Sequence, residues 1–263
     1  MNAIGNAIDI PIHLTAAQIA QYWNDGYLQV ADLLTLDEVA AFLAHEADPA
    51  TKDLRSGLQT HLTDPVWRAL SHHPNVAGIA RQLLGGQPRI VQTMYLSKAP
   101  AKEGEDVGGI GISLHQDTHY LPNEPNTLMA CWIAMNDTDP DNGGLCVVPG
   151  SHKGGLRNTR LNTDPEHASW ESKHTMRDRD GREWEQTIYS YHIEGIENEN
   201  ITRLTVPAGS GVFFTGMTIH GSYANRSRTR SRFAFPVHYV KEGTWVLRTD
   251  VLETTPVDVG SGA

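Results

Sequence analysis

The fold is decided by residues 128–148, which read LMACWIAMNDTDPDNGGLCVV. Two strand-like runs, Leu128 to Met135 and Leu145 to Val148, lie on either side of a polar segment that ends in the turn signal Asn142-Gly143-Gly144. Short runs of this kind, divided by Gly, Pro and Asn, are typical of mainly β proteins.

The same alternation continues on both sides of this stretch. Further strand-like runs are Arg89 to Lys98, His115 to Tyr120, Ile201 to Val206, Val212 to Thr215, Arg232 to Val240 and Thr244 to Arg248. Many short strands with such turns predict a sandwich or jelly roll over about 89–250. Asn158 to Asn200 differs because it is polar, carries both charges and shows little periodicity. A segment this long is either a lid over a site or a solvated insertion.

The first third of the chain, about 1–88, is predicted to be mainly helical. Capping boxes at Thr15/Gln18 and Thr35/Glu38 predict helices over Ala16 to Asn24 and Val39 to Ala47. Asp64-Pro65 predicts the start of a third helix, over Val66 to Ser71, and Gly85-Gly86 predicts the end of a fourth, over Asn75 to Leu84. A chain of 263 residues suits one domain, so we expect 1–263 to form a single domain with helices flanking a β core.

Composition excludes several classes of protein. The net charge of −10, from 21 basic and 31 acidic residues, does not favour a nucleic-acid partner. No stretch approaches the roughly 20 apolar residues of a membrane span, and Met1 to Ile10 lacks the pattern of a secretion signal. Cys131 and Cys146 lie in apolar runs and are expected to be reduced and buried. We therefore expect a cytoplasmic protein, with no sequence signal for an oligomeric state.

The sharpest chemical feature is Ser113-Leu114-His115-Gln116-Asp117. If this segment is a strand, His115 and Asp117 project from one face and offer a nitrogen and a carboxylate oxygen to one ion. His220, just after the run Val212 to Thr215, is a candidate third ligand. Two histidines and one carboxylate form the facial triad of non-haem iron(II) oxygenases. The alternative is a structural pair, with His115 hydrogen-bonded to Asp117 or to the backbone.

Arginines after His220 suggest a place for a carboxylate co-substrate. A guanidinium pairs with a carboxylate through two parallel hydrogen bonds. Arg230 and Arg232 are two residues apart, so both side chains could face inward. Arg226 and Arg228 are interpreted as parts of a solvated loop.

Several motifs together resemble the phytanoyl-CoA dioxygenase family. They are His115-Gln116-Asp117-Thr118-His119-Tyr120-Leu121-Pro122, Trp132-Ile133-Ala134-Met135, Asn142-Gly143-Gly144-Leu145, Val148-Pro149-Gly150-Ser151-His152-Lys153-Gly154, and His220-Gly221-Ser222 followed by Asn225 and Ser227. The resemblance covers roughly Val91 to Val240 and specifies no substrate.

The resemblance implies a cupin-like double-stranded β-helix, which is a jelly-roll core with helices on one side. It implies iron(II), 2-oxoglutarate and dioxygen as reactants, succinate and carbon dioxide as products, and a small-molecule substrate. His115, Asp117 and His220 match the catalytic iron ligands of the family. The positions that match its 2-oxoglutarate pocket are Met94, Gln116, Trp132 and Ser222. For Trp132 and Met94, core packing is an equally good explanation.

The carboxylate-anchoring arginine departs from the family's pattern. In the family ten residues usually separate the distal histidine from this arginine, and the position after ten such residues here is Ser231. Either the loop from Ser222 to Thr229 is one residue longer and the anchor is Arg232, or Arg230 serves. Tyr239 stands seven residues after Arg232, as an aromatic does after the family's arginine, so we favour Arg232.

Two alternatives to hydroxylation of a C–H bond remain open in the sequence. The carboxylate of Asp117 is present where related halogenases have a small residue, which favours hydroxylation, but desaturation, epoxidation or ring formation would use the same oxidant. A cupin-like metalloenzyme that does not use dioxygen would keep the triad and have no need of Arg232 or Ser222.

Overall fold

The computed structural model describes residues 11–257, in which two main β-sheets, one of them packed against helices, are accompanied by three two-stranded sheets. The α-helices are α1 (Ala16–Asp25), α2 (Leu36–Ala47), α3 (Pro65–Ser71) and α4 (Pro74–Leu84). The strands are β1 (Tyr27–Val30), β2 (Pro88–Thr93), β3 (Leu96–Lys98), β4 (Ile112–His115), β5 (Asn123–Glu124), β6 (Met129–Ala134), β7 (Leu145–Val147), β8 (Arg160–Leu161), β9 (Glu171–Arg177), β10 (Glu183–Tyr189), β11 (Tyr191–His192), β12 (Thr202–Arg203), β13 (Gly211–Thr215), β14 (His220–Ser222), β15 (Arg232–Lys241), β16 (Trp245–Val246) and β17 (Thr255–Pro256). The expectation about Met1 to Ile10 falls outside the described residues.

The helix signals in the sequence are confirmed. The Thr15 and Thr35 side chains accept hydrogen bonds from the backbone N–H of Gln18 and Glu38, and both capping boxes are complete. Asp64 caps α3 through the N–H groups of Val66 and Trp67. These caps satisfy donors that the first turn of a helix leaves unpaired. Among residues 11–257, no helix has the length and apolar character that crossing a membrane requires.

The expected jelly-roll class is confirmed by two facing antiparallel sheets. The larger has the order β1-β13-β6-β15-β2-β17, with β3 also paired to β15, and the smaller has the order β12-β7-β14-β4. Strand β6 is buried along its whole length, because its alternate side chains contact different layers. Met129, Cys131 and Ile133 pack with the helices, whereas Trp132 and its alternate neighbours pack between the sheets. This explains why residues 128–135 are apolar throughout.

Both cysteines are buried free thiols, as the sequence predicts. Burial raises the pKa of Cys131 well above its usual range and that of Cys146 to about 11. Both side chains therefore serve as packing groups in the core.

Two sequence expectations are corrected by the structure. The strand predicted over His115 to Tyr120 ends at His115, and a 3-10 turn follows from Asp117 to His119. The Asp117 carbonyl accepts hydrogen bonds from the N–H groups of Tyr120 and Leu121, both at 2.9 Å, which closes the chain into a turn. His115 and Asp117 therefore converge because a strand ends between them, not because they share one face of a strand.

The second correction concerns Asn158 to Asn200, which does have periodicity. Strands β9 and β10 pair over seven residues each and are joined by a turn at Gly181, where φ is +84°. Along β9 the less exposed side chains are Ser172, His174 and Met176. Because two of these three are polar, the alternation of burial is hardly visible as an alternation of hydropathy.

Candidate functional site

His115 and His220 are direct partners across two neighbouring strands. Strands β4 and β14 pair antiparallel with these two residues in register, and their ring centroids lie 4.2 Å apart. Each Nδ1 is 2.7 or 3.0 Å from a backbone carbonyl, that of Ser113 for His115 and that of Thr218 for His220. An Nδ1–H that donates to a carbonyl leaves Nε2 as a lone-pair donor for a metal.

Asp117 completes this cluster from the turn that follows β4. Its Oδ1 lies 3.4 Å from Nε2 of His115 and 3.6 Å from Nε2 of His220. Its other oxygen, Oδ2, is 3.1 Å from Nε2 of His238. The carboxylate is therefore fixed by His238 on one side and presents one oxygen to the two imidazoles on the other.

The electrostatics of the cluster keep its groups in the metal-binding protonation state. Burial lowers the pKa of His220 to about 4, although the charge of Asp117 opposes the shift, so the imidazole is neutral at pH 7. Burial by itself raises the pKa of Asp117, but the electrostatic influence of His220 and His238 and the close contacts with His115 and His238 hold that pKa well below its usual range. Neutral imidazole and ionised carboxylate are the forms that bind metal ions.

The donor set fits a single iron(II) ion. The ligand atoms of His115, Asp117 and His220 all lie within 4.8 Å of one another, and all three residues are buried. Ligands about 2.1 Å from an ion and at right angles to one another are roughly 3 Å apart, and Asp117 Oδ1 lies 3.4 and 3.6 Å from the two imidazole nitrogens. One carboxylate and two imidazoles on one side of the ion leave positions on the other side for reactants.

A narrow cavity of about 70 Å³ extends from this cluster toward Arg232. Arg232 is 1% exposed, and it donates from Nε to the Gly143 carbonyl at 3.2 Å and from Nη1 to the Leu96 carbonyl at 3.0 Å. Its Cζ lies over the Trp132 ring, 5.9 Å from the ring centroid. Burial lowers its pKa to about 10, so it is charged at pH 7. Within residues 11–257 no Asp or Glu forms an ion pair with it.

Lys98 is a second buried basic side chain near this end of the cavity, and sequence reasoning missed it. It is paired across the sheet with Arg232, and its Nζ donates to Ser222 Oγ at 2.8 Å and to the Tyr223 carbonyl at 2.5 Å. Burial, with a smaller contribution from the charge of Arg232, lowers the pKa of Lys98 to about 6. Lys98 thereby fixes the hydroxyl of Ser222 in the cavity wall.

The structure brings together most of the residues expected around a co-substrate. Met94, Trp132, Ser222 and Arg232 line the narrow cavity with the three candidate ligands. Gln116 does not lie where the family resemblance predicts. Its side-chain amide donates to the carbonyls of Gly155 and Met217, and its side-chain oxygen accepts from the N–H of Arg157. It therefore supports the loop behind the cluster and does not line the cavity.

Arg230 is also placed away from the cavity. Its guanidinium is exposed and forms an ion pair with Asp139 at 2.6 Å. Arg226 likewise pairs with Glu166 at the surface. The extra residue in the loop after Ser222 thus brings Arg232, and not Arg230, to the inner face of β15.

A larger cavity of about 390 Å³ opens on the other side of the cluster. Its lining includes His115, Asp117, Met94 and Tyr120. The segment Asn158 to Asn200 contributes Ala168, Trp170, Ser172, His174, Ser190 and Tyr191. In the loop from Ala99 to Ile112, Ile112 is the one residue that lines this larger cavity. His119 and Asn123 lie near the cluster in the sequence but do not line this cavity: His119 contacts the Arg157 carbonyl, and Asn123 contacts Leu121 and Thr127.

Comparisons with known proteins agree with this architecture. The family model "Phytanoyl-CoA dioxygenase (PhyH)" matches residues 22–234. The phytanoyl-CoA dioxygenase domain-containing protein 1 of Mus musculus is 30% identical over 230 residues, which are 84% of this chain and 70% of that protein. The phytanoyl-CoA dioxygenase of Arabidopsis thaliana is 28% identical over 204 residues, 75% of this chain and 62% of that protein. The chain thus spans between three fifths and three quarters of these relatives.

A solved structure shares the fold. It is the epimerase SnoN in complex with Fe3+, alpha ketoglutarate and nogalamycin RO, which superimposes with a TM-score of 0.64 over 88% of this chain and 84% of that one, at 21% identity.

Proposed function

Since the chain belongs to the phytanoyl-CoA dioxygenase family of iron- and 2-oxoglutarate-dependent oxygenases, we propose that it hydroxylates an unactivated C–H bond of a small organic substrate, with release of succinate and CO2. The observation that carries this proposal is one continuous arrangement: two imidazoles and a carboxylate converge beside a narrow cavity that ends at a buried arginine, which pairs with no Asp or Glu between residues 11 and 257. We assign iron(II) to His115, Asp117 and His220. The co-substrate 2-oxoglutarate is assigned to the narrow cavity and the substrate to the larger one.

The protein's part in the reaction is to hold and orient the reactants. Arg232 supplies charged N–H donors for the far carboxylate of 2-oxoglutarate, and Ser222 Oγ adds a hydrogen bond whose direction Lys98 fixes. Trp132 packs on the guanidinium and keeps it in place. When bound there, iron(II) with 2-oxoglutarate and dioxygen supplies an oxidant strong enough to cleave a C–H bond.

The larger cavity explains how water is kept from the reacting atoms. Tyr120, Trp170 and Tyr191 pack together over it, with ring centroids 4.8 to 5.8 Å apart. These aromatic groups shield one side of the cluster, so a bound substrate completes an apolar enclosure. The volume of about 390 Å³ suits a small molecule, and the described residues that line it form no basic groove for nucleic acid. With two free thiols, Cys131 and Cys146, we propose a reducing, cytoplasmic location.

The proposal is tested by turnover of 2-oxoglutarate. The protein, reconstituted with iron(II) under air, is screened against a panel of metabolites for succinate formation and oxygen consumption. We expect succinate from the wild type and none from Asp117→Ala above the protein-free background. A protein that binds iron stoichiometrically but yields no succinate with any metabolite would instead support a metalloenzyme that does not use dioxygen. Product analysis separates hydroxylation from desaturation, epoxidation and ring formation, which share the oxidant.

A further inference from the structure

Gln92 has a buried oxygen without a hydrogen-bond partner in the wall of the larger cavity. It lies on β2, is 6% exposed and lines the cavity beside Asp117 and His238. Within residues 11–257 no group hydrogen-bonds its Oε1. Buried polar atoms are almost always paired, and an unpaired one costs about 1–3 kcal/mol. An unpaired acceptor that faces a cavity therefore points to a donor on a ligand.

The orientation of the Gln92 amide follows from its neighbours. Its Nε2 lies 3.3 Å from His238 Nδ1 and 3.9 Å from Met94 Sδ. A thioether sulfur can accept a hydrogen bond but has no proton to donate. Turning the amide over would therefore place its oxygen against the Met94 sulfur with no donor there. The carbonyl oxygen is thus the atom left without a partner.

The charges around the cavity restrict what binds there. Arg248 contributes a guanidinium to the lining, but this group forms a bidentate pair with Asp250 at 3.0 and 2.5 Å. Most of the other lining groups are apolar or aromatic, among them Leu58, Tyr120 and Trp170. Apart from Asp117 itself, no lining residue in the described part of the chain carries an unpaired charge. The cavity suits a largely apolar body with few polar groups.

We propose that Gln92 is a specificity-determining residue that selects substrates carrying a hydroxyl or an amine N–H, which donates to its Oε1. Gln92 contacts His238, which in turn contacts Asp117, so this donor sits beside the part of the substrate that faces the metal. The substrate class is an uncharged, largely apolar molecule that carries a hydroxyl or a neutral N–H group. This inference rests on the proposed function, because it takes the larger cavity as the substrate site.

The test compares two probes that differ in one hydrogen-bond donor. β-Tetralol and its methyl ether are titrated into the protein loaded with iron(II) and 2-oxoglutarate under nitrogen, and binding is followed by ligand-observed NMR. One hydrogen bond to an otherwise unpaired buried acceptor predicts that the alcohol binds about tenfold more tightly. In Gln92→Met, which keeps the length of the side chain and removes the acceptor, the preference falls below about twofold.

Ser172→Ala is the matched control. Ser172 lines the same cavity, but its hydroxyl is already paired with His174 at 2.7 Å, so the variant keeps the tenfold preference. Equal affinities for the two probes in the wild type, no binding of either probe, or a preference that survives Gln92→Met would each overturn the inference. The visible charge-transfer band of iron(II) chelated by a 2-oxo acid is recorded on the same samples. If the band forms and the preference is absent, only the role of Gln92 fails; if no band forms, the proposed function fails with it.

Discussion

Replacing Arg232 by methionine should greatly weaken the binding of 2-oxoglutarate and leave the stability of the ligand-free protein nearly unchanged. The wild-type guanidinium is buried and charged, and no acidic residue described in the structure pairs with it. It uses one N–H of Nε and one of Nη1 for backbone carbonyls, so donors on both terminal nitrogens remain for a carboxylate. Removing one partner of a buried, hydrogen-bonded charge pair costs about 2–5 kcal/mol, which is roughly 30-fold to several thousand-fold in Kd.

The same substitution should hardly affect the ligand-free protein. A buried cation without an acid is costly to desolvate, and an apolar side chain of similar length removes that cost. The loss of two hydrogen bonds to carbonyls offsets part of this gain. We therefore expect the melting temperature of ligand-free Arg232→Met to stay within about 2–4 °C of the wild type, the shift that corresponds to roughly 1 kcal/mol in a domain of this size.

The assay is calorimetric titration of 2-oxoglutarate into the metal-loaded protein, with iron content measured separately. Arg230→Met is the matched control, because Arg230 is exposed and paired with Asp139, and it should change Kd by less than about fivefold. If Arg232→Met binds 2-oxoglutarate as the wild type does, or if Arg230→Met weakens binding more, the assignment of the anchor is refuted.

Three further predictions concern the side chains of Asp117, Lys98 and His61. Asp117→Ala should lose stoichiometric iron binding while its circular dichroism spectrum stays that of the wild type, and full iron content in this variant would exclude Asp117 as a ligand. Lys98, with a pKa lowered to about 6 by burial, is mostly neutral at pH 7 and should become protonated beside the 2-oxoglutarate dianion. Calorimetry in buffers of different ionisation enthalpy should therefore show proton uptake on binding that Lys98→Met lacks; equal uptake in both proteins would contradict this. Burial lowers the pKa of His61 from 6.5 to about 4, so the unfolded state binds a proton that the folded state does not, and stability falls as pH falls from 6.5 toward 4. Thermal melts at about pH 7 and pH 5 should show less acid sensitivity in His61→Gln than in the wild type, and an unchanged difference would exclude His61 as a cause.

Local sequence signals predicted the elements that depend on local contacts. The capping boxes at Thr15 and Thr35 determine where α1 and α2 begin, because each cap bonds a residue three positions away. Strand β6 was recognisable because both of its faces are covered, which leaves a continuous apolar run in the sequence. The turn after His115 was not predicted, since it also depends on a hydrogen bond from Thr118 N–H to the distant Gly216 carbonyl.

Two residues at the site could not be predicted from the sequence, and the reason is the same for both. Lys98 and Gln92 are single polar residues within strands, and neither belongs to a motif. Lys98 is paired in register with Arg232, and Gln92 with His238, through contacts of β15 with β3 and β2. Such register is a property of strands more than a hundred residues apart in the sequence, so only the folded chain shows that these side chains meet.

The most direct measurement is an anomalous-diffraction crystal structure of the protein grown without oxygen in the presence of iron(II) and 2-oxoglutarate. We expect one iron peak about 2.0–2.2 Å from Nε2 of His115, Oδ1 of Asp117 and Nε2 of His220, with the far carboxylate of 2-oxoglutarate on the guanidinium of Arg232. An iron peak elsewhere, or 2-oxoglutarate bound away from this cluster, would contradict the account.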